Sequence, residues 1–243
     1  MFFTLISELV YPMLKPKNQY HFKINQMKTK YLILAALFII TLKSAAQETK
    51  VPHGYTYGTK EVAKSPFTLE ELKLLEQSLL FSEEDVKYLR MSHDILKGQT
   101  DEILDVWYGF VGSTPQLVYF FGNTKTGKPD GEYLAKVRLR FKMWILQTAE
   151  AKYDQDWLNY QYEIGLRHYT TKKNKTDKVT SVPVINYRYI PALTIPVTTT
   201  LKPFLAKTGA SAADVDKMYN AWLKSVLMQS ILWGQPYMKK GEF

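Results

Sequence analysis

The chain contains no cysteine among its 243 residues. This absence excludes disulfides, thiolate metal sites, iron–sulfur clusters and covalently attached c-type haem, each of which needs cysteine sulfur. It leaves the redox compartment open, because a chain without cysteine tolerates either side of a membrane. Apolar residues make up 46% and aromatic residues 14% of the chain, which is enough for a packed core in one or two domains.

Histidine is also scarce, with only His21, His53, His93 and His168 in the chain. No two of these share the four-residue spacing that places a pair of zinc ligands on one helix face. No G-x-S-x-G sequence is present to expose a nucleophilic serine. The sequence therefore predicts neither a zinc site nor a serine hydrolase.

The positive charge is unevenly distributed. The chain carries a net charge of +9, but residues 1–46 hold six lysines and a single acid, Glu8, so the rest of the chain carries only +4. The one basic cluster in that remainder, Lys172, Lys173 and Lys175, is typical of a solvated loop. Because nucleic-acid binding needs basic residues gathered on one face, we expect no nucleic-acid partner.

The N-terminal segment 27–46 has the pattern of a signal peptide. Lys28 and Lys30 precede twelve largely apolar residues, 31–42, and small residues at 44–46 predict cleavage before Gln47. Twelve residues are too few for a bilayer, which needs about 20. We expect an exported, periplasmic protein without stable membrane insertion after cleavage, the alternative being an uncleaved membrane anchor. We also expect residues 1–26 to be a mis-assigned start.

After residue 65 the apolar residues follow helical spacing almost everywhere. Thr68 with Glu71 predicts a capping box, and Ser82 and Ser211 open similar sequences. Segments 116–121 and 180–190 are the only candidates for strands. Segment 184–207 keeps helical spacing despite three prolines, which predicts a bent helix. The whole predicts one all-α domain of about seven or eight helices.

The sequence GNTKTGK at 122–128 has the spacing of a phosphate-binding loop. Pro129 follows it, however, where such a loop needs a hydroxyl for magnesium, and no strand–helix–strand unit surrounds it. We interpret this segment as a loop between helices.

His168 ends the amphipathic run YQYEIGLRH at 160–168. A single histidine on an apolar helix face, here or at His93, is more often a hydrogen-bonded core residue than a ligand. One histidine is nevertheless sufficient for haem b, because the porphyrin supplies the four in-plane nitrogens. The residues alone leave both interpretations of His168 open.

Six motifs together resemble the protoglobin family, which are single-domain globins related to globin-coupled sensors. The resemblance covers about residues 51–243 and rests on GYTYGT (54–59), LLFSEEDVKYLRM (79–91), ILDVWYGFVGSTP (103–115), YDQDWLNYQYEIGLRHYTTKKNKTD (153–177), KPFLAK (202–207) and LWGQPY (232–237).

The resemblance implies an all-α globin fold with an additional N-terminal helix and arm. The arm would occupy 47–67 and the globin domain 68–243. Within that domain the implied helices are the added helix at 68–80, A at 82–97, B at 99–112, E at 130–150, F at 154–170, G at 184–207 and H at 211–236.

The resemblance also implies a site for haem b, iron protoporphyrin IX. His168 matches the proximal iron ligand. Trp107, Tyr108 and Phe141 match distal aromatics, and Leu193 stands where the family usually has a further aromatic. Val137, 31 residues before His168, occupies a distal position and cannot donate a hydrogen bond.

The spacing of residues on the F helix agrees with this site. Trp157, Ile164 and His168 share one helical face, so the F helix would point its ligand into the same core that the E and B helices line. Arg167 points elsewhere, which makes it a candidate for contact with a haem propionate or for the surface.

The function that follows is reversible binding of O2, CO or NO at a five-coordinate haem iron, with Tyr108 as the hydrogen-bond donor. The alternatives are a haem enzyme (an NO dioxygenase, a nitrite reductase or a peroxidase-like protein), a gas sensor acting through a partner, and a helical module without haem. We expect a homodimer formed through the G and H helices.

Overall fold

A computed structural model describes residues 51–239 and 241–243 of the chain. The predicted signal segment 27–46 and the preceding residues 1–26 lie outside the described residues. The predicted arm 47–67 is described from residue 51 onward, and it contains turns without a regular helix or strand.

The described residues form helices, as the sequence predicts, and their only extended pairings are isolated bridges. In chain order the helices are α1 (Leu69–Ser78), α2 (Glu83–Leu96), α3 (Thr100–Gly112), α4 (Pro115–Val118), α5 (Gly131–Glu150), α6 (Gln155–His168), α7 (Tyr189–Ala192), α8 (Thr194–Leu205) and α9 (Ala212–Leu232). Short 3₁₀ helices follow at Tyr119–Phe121 and Gln235–Tyr237. Within the part of the chain that is described, no helix is both long and apolar enough to span a bilayer.

The helices begin where the sequence provides a side chain that satisfies the first free N–H groups. At the start of α1 the Glu71 carboxylate accepts the Thr68 backbone N–H at 2.7 Å, and the Thr68 hydroxyl accepts the Glu71 N–H at 3.2 Å. This is the predicted capping box. At the start of α6 the Asp154 carboxylate accepts the Trp157 N–H at 2.8 Å, which fixes the beginning of the helix that carries His168.

The core lies where α9 packs against α2 and α8. Leu89, Leu104, Met218 and Trp222 are completely buried there. The Trp222 indole donates a hydrogen bond to the Ser92 hydroxyl at 2.9 Å, so the polar atom of the largest of these side chains is satisfied inside the core. Side chains of α3, α5 and α6 line a cavity together with side chains of α8 and α9.

The predicted bent helix at 184–207 is wrong in its extent. Helical structure begins only at Tyr189 and divides near Leu193 into α7 and α8. The division places Pro191 and Pro196 each in the first turn of a helix, where the missing N–H would have no intrahelical partner. Pro203 alone lies inside α8.

The strand candidates are also corrected. Residues 116–121 are helical, because Pro115 begins α4 at the first position, where proline is favoured, and a 3₁₀ helix follows. Residues 180–190 form no strand and contribute only one isolated bridge, between Asn123 and Ser181. Segment 122–128 is a loop, as interpreted from the sequence.

Candidate functional site

A cavity of about 250 Å³ lies between α3, α5, α6, α8 and α9. The structure brings all of the predicted site residues to its wall: Trp107, Tyr108, Val137, Phe141, Ile164, His168 and Leu193. These side chains come from separate helices and from the junction between α7 and α8. The walls are therefore mostly aromatic and aliphatic, with few polar groups, as is usual for cofactor sites.

His168 is the last residue of α6, and one of its ring nitrogens is already engaged. Nδ1 lies 2.8 Å from the carbonyl oxygen of Ile164. A carbonyl oxygen only accepts, so Nδ1 carries the proton and donates it. In the neutral ring Nε2 is then an unprotonated acceptor, and among the described residues it has no hydrogen-bond partner.

The environment keeps this imidazole neutral at ordinary pH. Burial, aided by the nearby charges of Lys173 and Arg167, lowers the pKa of His168 to about 4, while the hydrogen bond to Ile164 opposes the shift. A neutral ring with Nδ1 engaged presents the Nε2 lone pair, which is the form of histidine that binds metal ions.

The opposite wall of the cavity is built by α3 and α5. Trp107 and Phe141 pack edge to face with their ring centres 5.8 Å apart, and both line the cavity beside Val137. Burial raises the pKa of the Tyr108 phenol well above its ordinary value, so the hydroxyl stays protonated. It makes no hydrogen bond to any residue in the described ranges. This wall therefore holds one free donor in apolar surroundings.

Three cationic side chains lie along the cavity. Arg140 forms two hydrogen bonds with the buried Asp177 carboxylate, at 2.9 and 2.6 Å. Arg167 bonds to Glu163 at 2.9 Å and reaches the N-terminal arm at the Gly54 carbonyl and the Thr56 hydroxyl. Lys173 is 2% exposed, and within the described part of the chain its ammonium bonds only to uncharged oxygens, including the Phe120 carbonyl at 2.9 Å.

The structure corrects the orientation expected for Arg167 on α6. Arg167 does not point away from the cavity but lines it, since its long side chain extends back past the adjacent Ile164 face. Trp157 is buried in the core, as the shared face predicts, beside Tyr153 with ring centres 4.7 Å apart, and it does not line the cavity. Seven residues is almost two turns, so spacing alone could not show that the cavity ends before the first turn of α6.

Sequence reasoning assigned no role to Trp233, Tyr237 or Lys173, which surround His168 or the cavity. Trp233 stacks on the His168 ring, and the Tyr237 hydroxyl bonds to the His168 carbonyl oxygen at 2.9 Å. The available signal was the LWGQPY motif, which was noticed without a function. Lys173 was interpreted as part of a solvated basic run, and its burial is visible only in the structure.

The residues present fit a haem group. The apolar walls suit a flat macrocycle, and His168 offers one nitrogen donor where the macrocycle supplies the other four. Of the three cations, Lys173 bonds to no carboxylate among the described residues, and it matches one of the two carboxylates that a haem carries. No group in the cavity conflicts with this cofactor.

Comparison with known families gives a match over residues 68–243 to the family described as Protoglobin. The chain belongs to the protoglobin family. The predicted all-α globin fold is thereby confirmed, and α1 lies within the range predicted for the additional N-terminal helix. The chain is accordingly a globin-type haem protein that binds diatomic gases. A comparison with curated protein sequences gives no match.

Proposed function

We propose that the chain binds haem b, holds its iron through Nε2 of His168, and reversibly binds O2, CO or NO on the opposite side. The observation that carries this proposal is the state of the His168 ring: neutral, with Nδ1 donating to the Ile164 carbonyl and Nε2 without a partner among the described residues. The hydrogen bond at Nδ1 fixes the tautomer and increases the basicity of Nε2, as it does for metal-bound histidines generally.

We further propose that the iron is five-coordinate before gas binds. Haem iron, when bound, supplies the coordination site for the gas. Val137 and Phe141, which face the cavity from α5, have no atom that could ligate iron. The Tyr108 phenol, protonated because of its burial, can donate a hydrogen bond to a polar ligand. Such a donor favours O2 over CO.

Lys173 is the candidate partner for a haem propionate. Burial lowers the pKa of its ammonium to about 8, with Asp177 opposing the shift, so the group remains charged near pH 7. It bonds to uncharged oxygens only, whereas the Asp177 carboxylate is already occupied by Arg140. A buried charge of this kind is stabilised by a nearby group of opposite charge.

The substitution His168→Gly tests the role of the imidazole. We expect the variant to lose the ferrous five-coordinate absorption spectrum of the wild-type protein and to recover it when free imidazole is added to the space that the side chain leaves. The matched control is His93→Gly, because His93 lies on α2 away from the cavity wall. An unchanged spectrum in the His168 variant would show that another residue holds the iron.

Export through segment 27–46 and dimer formation through α8 and α9 stay predictions. N-terminal sequencing of the native protein tests the first, since cleavage should leave Gln47 as the first residue. Sedimentation of the purified protein over a range of concentrations tests the second.

A further inference from the structure

The LWGQPY motif places its residues against the end of α6, on the side of His168 that faces α9. Trp233 follows the last turn of α9, and Gln235–Tyr237 forms a 3₁₀ helix. We infer that the segment Trp233–Tyr237 positions the His168 imidazole. This inference rests on the proposed function, because it concerns the ring proposed to hold the iron.

Trp233 determines the plane of the imidazole. The two rings are stacked, with their planes 13° apart and their centres 5.3 Å apart. The hydrogen bond from Nδ1 to Ile164 restricts where one ring atom lies, but it leaves the ring free to tilt about that bond. A flat indole against one face removes this freedom, because tilting would drive the imidazole into the indole.

The indole is itself held by the helix that carries His168. Its Nε1 donates a hydrogen bond to the side-chain oxygen of Gln161 at 2.8 Å, and Gln161 lies two turns before His168 on α6. The stacking partner therefore moves together with the helix, which keeps the relation between the two rings fixed.

Tyr237 holds the backbone of the same residue. Its hydroxyl lies 2.9 Å from the His168 carbonyl oxygen and 2.7 Å from that of Ile185, and these two acceptors share its single proton. The Ile185 backbone N–H donates to the same His168 carbonyl at 2.9 Å. A carbonyl at the C-terminal end of a helix has no intrahelical partner, so these two donors satisfy it and fix the end of α6.

Gly165 permits the segment to approach α6 this closely. A Cβ atom at this position would lie 3.0 Å from the Trp233 carbonyl oxygen, 3.1 Å from its Cα and 3.2 Å from Pro236 Cδ. Two of these three atoms are backbone and cannot move aside as the end of a flexible side chain can. The contact between α6 and the segment is thus backbone against backbone, which makes the placement of Trp233 rigid.

A ligand held in one orientation binds its metal more tightly than one that must be ordered on binding. Changes to groups that orient a histidine ligand commonly cost about 10-fold or more in metal affinity. We therefore expect Trp233 and Tyr237 to affect the strength of the iron–imidazole bond and the rate of haem loss, although neither residue coordinates the iron.

The test compares Trp233→Leu and Tyr237→Phe with two controls in the haem-loaded protein. Trp222→Leu removes an indole from α9, where the indole nitrogen bonds to Ser92 and the side chain does not line the cavity. Tyr153→Phe removes a hydroxyl that bonds to Ser225. The readouts are the iron–imidazole stretching band in the resonance Raman spectrum of the ferrous protein and the rate of haem transfer to excess apomyoglobin.

We expect Trp233→Leu to broaden the band, to shift it to lower frequency and to speed haem loss about tenfold. Tyr237→Phe, which preserves the size of the side chain, should shift the band less and in the same direction, while both controls should leave it in place. A wild-type band that neither variant changes would overturn the inference and leave the proposed function intact. Equal shifts in the controls would also overturn it. Absence of the band from the wild-type protein would overturn both proposals.

Discussion

The wall of the cavity formed by α6 and the C-terminal segment holds its key side chain with several partners, whereas the wall formed by α3 and α5 leaves its key side chain free. His168 bonds to Ile164 through its ring, to Tyr237 through its backbone, and stacks on Trp233. Tyr108 makes no hydrogen bond to any described residue. The two walls differ in how much of the binding geometry exists before anything binds.

Holding a cofactor and donating a hydrogen bond to a passing ligand place different requirements on a side chain. A side chain that holds a cofactor permanently is best fixed in advance, because ordering it on binding would cost conformational entropy. A donor to a ligand that arrives and leaves must keep its proton free. The Tyr108 hydroxyl, which makes no hydrogen bond to any described residue, keeps its proton available to a ligand that accepts it.

The largest expected effect concerns the protonation of His168, on the wall formed by α6 and the C-terminal segment. The folded-state pKa of His168 is about 4, below its ordinary value of 6.5, because the ring is buried. The unfolded chain therefore binds the proton first as the pH falls, so stability is retained above pH 6.5 and is lost progressively toward pH 4. The loss amounts to at most about 3 kcal/mol.

Urea unfolding of the haem-free protein at a series of pH values measures this loss. In His168→Leu, the part of the pH dependence of the unfolding free energy that arises from this residue should vanish. If the wild-type protein and the variant lost stability in parallel between pH 6.5 and 4, the ring would not be buried and neutral as described.

A second expected effect concerns the close contact between Gly165 of α6 and the Trp233 backbone. Gly165→Ala would place a Cβ atom against the Trp233 backbone, and we expect it to lower the free energy of unfolding by about 1–2 kcal/mol. Gly109→Ala, on α3, is the matched control because no atom lies within 4 Å of its Cβ position. That change should stabilise the protein by up to about 1 kcal/mol through helix propensity. Chemical denaturation of both variants measures these changes in unfolding free energy. An equal increase in both variants would show that Gly165 does not make the close contact described.

A third and smaller effect concerns Tyr108, on the wall formed by α3 and α5. Tyr108→Phe removes the only atom of that side chain able to donate, so we expect O2 to dissociate about tenfold faster, in keeping with one neutral hydrogen bond of about 1–1.5 kcal/mol. CO accepts hydrogen bonds weakly, and its dissociation should change little. Flash photolysis and stopped-flow mixing measure both rates in the same protein. Equal acceleration of O2 and CO would mean that Tyr108 acts by its size.

Local signals in the sequence were sufficient to predict most of the fold. The apolar spacing predicted an all-α domain, and the Thr68 capping box marked the start of α1. The helix bounds implied by the family resemblance match α2, α3 and α5 within one residue at each end. The proline-rich region near Leu193 was predicted less well, because the helical spacing of its apolar residues persists across the break between α7 and α8. Periodicity reports which face is buried and not whether the helix is continuous.

The predicted wall residues could be found because a family motif marked them, and helical spacing agreed. The supports of His168 could not, since Trp233 and Tyr237 lie more than sixty residues away and contact it only through the fold. Arg167 was misplaced for a related reason: helical spacing gives the direction of the Cβ atom, and a long side chain can reach back across the face.

A hemin titration of the purified protein, followed by Soret absorbance and then by reduction and addition of CO, tests the central claim most directly. We predict saturation at one haem per chain, a five-coordinate ferrous spectrum after reduction, and its conversion to a six-coordinate CO spectrum. Hemin that remains in its free form at saturating protein, or a ferrous spectrum that is six-coordinate before CO is added, would contradict the account of a cavity with a single imidazole ligand.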